Sequence, residues 1–180
     1  DVVVVQGTGG VALFALQFAK LLGAYAIVLS SSDEKLAKAQ ALGADEVLTY
    51  VKEPAWGRTV KAMAQRLSGR DGADHVVELG GTSTLEQSLR AVRAGGTLSL
   101  IGVLGGAKLD APLGLVVTRA VRLQGVTVGS RDDFLAMCSA MARVQMRPVV
   151  DSVYPFEALK DALAHLKSGR HFGKVCIQLA

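Results

Sequence analysis

The stretch VVVVQGTGGVALFALQFAKLLGA, residues 2–24, decides the fold of this chain. Val2 to Val5 is an unbroken β-branched run, the pattern of a parallel strand buried on both faces. Val11, Phe14, Ala15, Phe18 and Leu22 then recur at helical spacing, and Gly23 stands where a helix C-terminal cap is wanted. Between strand and helix, Gly7-Thr8-Gly9-Gly10-Val11-Ala12 reads G-x-G-x-x-A. The first glycine permits a tight turn, the second removes a Cβ that would block a pyrophosphate, and the small Ala12 lets the helix pack close to the sheet. A helix beginning here points its unpaired N–H groups and its positive dipole end at an anion. A glycine turn serving packing alone would look the same in isolation, so the surrounding strand-turn-helix context carries the weight.

That context repeats. Ala26–Leu29 reads as a second strand, Asp33–Leu42 as a helix ended by Gly43, and Glu46–Thr49 as a third strand. Residues 55–67 read as a helix, 74–79 as a strand, 83–93 as a helix and 97–101 as a strand running into IGVLGG. A looser stretch to about Arg119 leads to the strand LQGVTV and a helix from about Asp132 to Gln145. Parallel neighbours need crossover connections, so this alternation predicts an α/β fold: a doubly wound, six-stranded parallel sheet with helices on both faces. The last segment begins and ends in short extended pieces around one helix, Phe156–Leu166, with strand partners expected elsewhere.

Half of the 180 residues are apolar, enough for one main domain and too few for two ordinary ones. Twenty Lys and Arg against sixteen Asp and Glu give a net charge of +4. The basic residues are spread along the chain, which argues against nucleic acid or a membrane surface as partner and for an anionic small molecule. Cys138 and Cys176 have no neighbours of metal-ligand type, so neither a zinc cluster nor a disulfide framework is expected, and a cytoplasmic location fits. No signal peptide or membrane-spanning run is legible. The chain opens at Asp1 already inside a strand, which reads as a piece of a longer protein.

The end of the second strand is where a dinucleotide fold discriminates the ribose. A site for NAD places Asp or Glu there, roughly 20 residues past the glycines, to bind the 2′-hydroxyl. Here the strand runs into Ser30-Ser31-Ser32, followed by Asp33 and Lys35. A carboxylate at Ser30 would repel the 2′-phosphate of NADP by on the order of 4 kcal/mol at an effective dielectric of about 20. Serines remove that repulsion and supply hydroxyl donors, and Lys35 adds a positive charge. NADP is therefore expected ahead of NAD, although Ser32 or Asp33 capping the second helix would explain part of the pattern equally.

With the glycine fingerprint, the serine cluster, ALGADEVLTY, GADHVVELGG and GGTLSLIGVLGG in this order, the chain resembles the medium-chain dehydrogenase/reductase superfamily. That group holds the zinc-type alcohol dehydrogenases and their zinc-free quinone and enoyl reductase relatives. The resemblance implies a Rossmann coenzyme domain over residues 1–147 and a segment, 148–180, that returns to a GroES-like catalytic domain. It implies zinc only in that other domain. It implies a hydride transferred between nicotinamide and an alcohol or carbonyl substrate, and a homodimer formed through the edge strand at 122–128. By the same resemblance Gly7, Thr8, Gly9, Gly10 and Val11 hold the pyrophosphate, and Ser30, Ser31 and Lys35 the 2′-phosphate. Tyr50 matches a tyrosine beside the adenosine phosphate, with a rim aromatic that touches no ligand as the open alternative. Leu79, Gly80, Ile101, Gly102 and Val103 border the nicotinamide half, Val128 offers backbone to its carboxamide, and Lys174 is a candidate phosphate contact.

No residue of this chain is assigned proton chemistry. His75, at the start of a buried strand, reads as structural, and His165, near Lys167, as lying on a solvated face. Glu78 within VVELGG is read as structural, His171 as a weaker phosphate candidate than Lys174, and Cys138 as core packing beside Phe134, Leu135, Met141 and Val144. A zinc-free quinone or enoyl reductase is the nearest alternative function. A nucleotide-sensing module without catalysis is the alternative of another class. A methyltransferase would want an acid at the second strand's end, which Ser30 denies it.

Overall fold

The computed structural model describes residues 1–179. Six parallel strands form the main sheet: β1 (Val2–Gln6), β2 (Tyr25–Ser30), β3 (Glu46–Thr49), β4 (Ala73–Glu78), β5 (Val92–Leu100) and β6 (Arg122–Gly125). Their order is β3-β2-β1-β4-β5-β6. Val4 faces Ile27 on one side and Val76 on the other, so the valine run lies at the centre of the sheet, as its composition requires. The crossovers carry α1 (Gly10–Leu21), α2 (Asp33–Ala41), α3 (Trp56–Ser68), α4 (Thr82–Ala91) and the short α5 (Leu113–Val117). The chain continues through α6 (Arg131–Arg143), β7 (Val150–Pro155), α7 (Leu159–Ser168) and β8 (Lys174–Gln178).

By contacts the chain forms two compact units. One comprises Asp1–Gly7 and Ala15–Thr127, the other Thr8–Phe14 and the chain from Val128 onward. In the first, Val2, Val4, Ile27, Leu29, Val76 and Leu98 of the sheet pack with Trp56 and Val60 of α3 and Leu85 and Leu89 of α4. Full burial of such side chains contributes roughly 1.5–3 kcal/mol each. Helices α3 and α4 meet closely because Gly57 has no side chain: a Cβ there would lie 2.5 Å from Gln87 O.

Several expected boundaries shift for identifiable reasons. Helix α4 stops at Ala91, where Val92 turns extended (φ −69°, ψ 145°), and β5 begins there with an irregularity opposite Ala73–His75. Strand β6 ends at Gly125, short of the expected Val128: Val126 N–H reaches Leu100 O, and β5 offers no further partner beyond that residue. In α1 the buried residues are Ala12, Leu13, Leu16 and Ala19, while Val11 and Leu22 of the expected stripe are 46% and 83% exposed. Gly23 does take the left-handed conformation expected of a cap (φ 74°).

In the second unit, β7 and β8 pair with each other in parallel around α7, where partners elsewhere had been expected. Val153, Phe156, Leu163 and Leu179 of this unit are exposed. Helix α6 has a complete capping box between Ser130 and Asp133, yet it buries only Met141. Phe134 and Leu135 are exposed, and so is Cys138, which therefore is not a core residue.

At the amino edge of the main sheet, the buried Asp74 accepts Val2 N–H at 2.7 Å and the guanidinium groups of Arg93 and Arg70. Burial by itself would raise this carboxyl, but the hydrogen bonds from Arg93, Val2 and Arg70 outweigh it and hold it below the usual carboxylate range. A group lowered on folding stabilises above its unfolded pKa, and that stabilisation is lost as pH falls through the folded value. Asp74→Asn is expected to cost about 2 kcal/mol at neutral pH. In urea melts the gap to the wild type should close below about pH 4.

Candidate coenzyme site

The six parallel strands of the main sheet deliver their carboxyl ends to one edge, the edge where such sheets bind ligands. In the first unit β2 ends at Ser30, which is 3% exposed and whose Oγ accepts Ser32 N–H at 3.3 Å. Ser31 is exposed. Ser32 is the N-cap of α2, accepting Lys35 N–H at 3.4 Å, and the half-buried Lys35 lies in that helix's first turn. The nearest following acid, Asp33, is engaged: Thr49 Oγ1 and Lys52 Nζ each donate to its carboxylate at 2.5 Å. The bond from Lys52, then that from Thr49, hold Asp33 below the ordinary carboxylate range. Lys52 was not singled out from sequence, although a lysine two residues past the Tyr50 that closes a strand is a legible signal.

Tyr50 follows β3, donates its N–H to Ser30 O at 3.2 Å and is 41% exposed. With Leu29, Pro54 and Trp56 it forms the apolar walls of a cavity of about 290 Å³, whose polar groups include Gln6 and Thr84. Beyond β4, Leu79 and Gly80 donate their N–H groups to Gln6 Oε1 at 3.1 and 3.2 Å. Beyond β5, Ile101 and Gly102 donate theirs to Glu78 O at 3.0 and 3.2 Å. These two turns touch, since a Cβ on Gly102 would lie 2.3 Å from Leu79 O. Val103 is 62% exposed.

Gly7 closes β1 in a left-handed conformation (φ 81°), its N–H bonded to Leu29 O at 2.7 Å. In the second unit, Gly9 O accepts Leu13 N–H at 3.0 Å and so starts α1. A Cβ placed on Gly9 would meet nothing within 4 Å, which leaves open the space a pyrophosphate needs beside the helix N-terminus. Thr8 is buried and its carbonyl accepts Gly173 N–H at 2.9 Å, while Val11 is exposed. The Lys174 side chain lies over Gly10, where an added Cβ would be 2.5 Å from Nζ. Within this unit the glycine start of α1 and the Lys174 ammonium group lie together at Gly10. Val128, 89% exposed, lies in this unit beyond the end of β6.

Residues 10–143 match the family model described as zinc-binding dehydrogenase. The chain belongs to this family. A zinc-type alcohol dehydrogenase-like protein of Schizosaccharomyces pombe is 39% identical over 181 residues, covering 98% of this chain and 51% of that protein. A crystal structure from Sinorhizobium meliloti 1021, assigned as an alcohol dehydrogenase, superposes with a TM-score of 0.90 at 46% identity over 99% of this chain and 51% of that one. An NAD-dependent alcohol dehydrogenase structure superposes at 0.88 with 34% identity, over 100% and 51%. The chain thus spans about half the length of these relatives. As in other zinc-binding dehydrogenases, this portion is a Rossmann-type, NAD(P)-binding domain of an oxidoreductase family.

Among the described residues of this chain, no cluster of three or more His, Cys, Asp or Glu is placed to hold a metal. No helix is long and apolar enough to cross a membrane. His75 pairs with Ser99 Oγ at 2.9 Å inside the sheet, and its burial lowers its pKa, a structural setting. His165 is not on a solvated face: its Nδ1 meets Tyr154 Oη at 3.1 Å, its Nε2 lies 3.6 Å from Asp151, and His171 packs edge-on against it. Arg170 turns to Ser168 Oγ at 3.3 Å.

Gly102→Ala would drive its methyl into the Leu79 carbonyl, a backbone atom that cannot swing aside. It is expected to cost about 1–3 kcal/mol in a urea melt.

Proposed function

We propose that this chain is the coenzyme-binding part of an NADP-dependent oxidoreductase that moves a hydride between nicotinamide and an alcohol or carbonyl substrate. The observation that carries the reading is the tip of β2. A buried serine, Ser30, stands where a 2′-hydroxyl would require a carboxylate, and the next acid, Asp33, is paired with Lys52 and accepts the Thr49 hydroxyl. The bound coenzyme supplies the hydride; the chain's own residues bind and orient it. Gly7, Thr8, Gly9, Gly10 and Val11 take the pyrophosphate, with Lys174 as its cation. Ser30, Ser31 and Lys35 take the 2′-phosphate, with Lys52 as a further cation. Tyr50 and Trp56 wall an adenine-sized cavity. Leu79, Gly80, Ile101, Gly102 and Val103 form the wall beside the nicotinamide ribose, and Val128 offers backbone to the carboxamide.

In this reading residues 1–147 are the coenzyme domain, while 148–180 belong structurally with a catalytic domain that supplies zinc and substrate contacts. The fragment alone then binds coenzyme and turns nothing over. Its free cysteines suit a reducing cytoplasm. The outer strand β6, followed by the exposed Val126 and Val128, is an open sheet edge suited to pairing with a second copy over 122–128.

Trp56 is the only tryptophan, so its emission reports the cavity directly. NADPH is expected to quench it and to bind about tenfold or more tightly than NADH, the worth of one charge-assisted contact. Ser30→Asp should reverse the preference. Gly9→Ala should keep stability within about 0.5 kcal/mol and lose binding, because its methyl meets only open space. Tighter binding of NADH by the wild type would overturn the NADP assignment, although the relative of known coenzyme named above uses NAD. Sedimentation equilibrium should show a dimer, and Leu123→Lys, placing charge on the edge strand, should yield monomers; a monomeric wild type at high concentration would remove that part.

A further inference from the structure

Glu78, the last residue of β4, is completely buried. A buried carboxylate ordinarily pairs with a cation, and replacing such a group by an apolar residue is often neutral or stabilising. Here the partners are five uncharged donors. Oε1 accepts Gly80 N–H at 2.9 Å, Gly81 N–H at 3.0 Å and Thr84 Oγ1 at 2.5 Å. Oε2 accepts Gln6 Nε2 at 2.8 Å and the Ser88 hydroxyl. Gln6 in turn presents its own oxygen to the amides of Leu79 and Gly80.

The two ends of this residue hold two different turns. Its side chain fixes residues 79–84, including Gly81 in a left-handed conformation (φ 77°) at the start of α4, a helix with no side-chain cap of its own. Its carbonyl holds Ile101 and Gly102. The turns are then stitched together by Gly105 N–H to Gly80 O at 2.6 Å and Thr82 N–H to Gly106 O at 3.0 Å. Gly80 N–H is shared between Glu78 Oε1 and Gln6 Oε1, whereas Gly81 N–H is given to the carboxylate.

We infer that Glu78 is the positioning residue for the nicotinamide side of the coenzyme site: its carboxylate sets the 79–84 turn, and through it the 101–106 turn, in the geometry that receives the nicotinamide riboside. This rests on the coenzyme reading above. Besides the buried Gln6 and Ser88, the groups it holds are amides of the 79–84 turn, outside the packed apolar core.

Two variants test this, Glu78→Gln and the gentler Thr84→Val, with Val60→Ala on α3 as a control that loosens the same core without touching the turns. Amide hydrogen exchange read without any ligand should accelerate about tenfold at residues 80–82 and 105–106 in Glu78→Gln, and less in Thr84→Val, with no such local change in Val60→Ala. Titrated with NADPH and with 2′,5′-ADP, which lacks the nicotinamide half, Glu78→Gln should lose about tenfold or more for NADPH and stay within about threefold for 2′,5′-ADP. Should Glu78→Gln not fold, Thr84→Val should still show both effects at about threefold. Unchanged exchange at both turns in either folded variant would overturn the inference, as would equal losses of the two ligands. A wild-type chain that binds neither ligand sinks the coenzyme reading and the nicotinamide role with it, and the exchange data then report only how Glu78 holds the turns.

Discussion

Parallel pairing is the constraint from which the rest of this molecule follows. Val2 to Val5 pair with β2 on one side and, from Val3 on, with β4 on the other, which demands a crossover helix on every return and buries both faces of the central strands. Each strand must then end at the same edge, where its last amides lose their ladder partners and need others. The edge is consequently rich in groups that hold turns: Gly7 on Leu29 O, Leu79 and Gly80 on Gln6, Ile101 and Gly102 on Glu78 O.

Charge is distributed unequally between the two edges. At the amino edge Asp74 is answered by two arginines and a backbone amide, a closed account that ties β1 to β4 and β5. At the carboxyl edge the buried Glu78 is answered by uncharged donors only: two turn amides, the Gln6 side chain and two hydroxyls. Around the tip of β2 the exposed acid Asp33 is met by Lys52, and Lys35 stands in the first turn of α2. The first arrangement stabilises the sheet; the second orders two turns; the third leaves the exposed acid nearest the tip of β2 paired with a lysine.

The sequence pattern was most legible where one strand or turn satisfies its own local chemistry. The valine run, Gly23 as a cap and the G-x-G-x-x-A turn came out where expected, because β-branching, left-handed φ and a missing Cβ act within a few residues. The phase of α1 was not legible: with nearly every position apolar, Val11 and Leu22 read as core as readily as Leu13 and Leu16 do, and only packing against neighbouring elements chooses. His165 and Cys138 were misread for the same reason, since whether a helical position is covered depends on Tyr154, Asp151 and other residues distant in sequence.

The amino-acid sequence by itself determined that this chain is a parallel α/β domain with a glycine turn at its first crossover and no acid at the end of its second strand. These are properties of adjacent residues, and local backbone sterics and periodicity are enough to express them. Only the tertiary structure decided that Lys52 engages Asp33, that Lys174 lies over Gly10, and that Glu78 gathers donors from three elements. Those pairings join residues 19, 164 and up to 72 positions apart, and what brings such partners within reach is the burial of strands and helices on one another, a global minimum that no local pattern encodes.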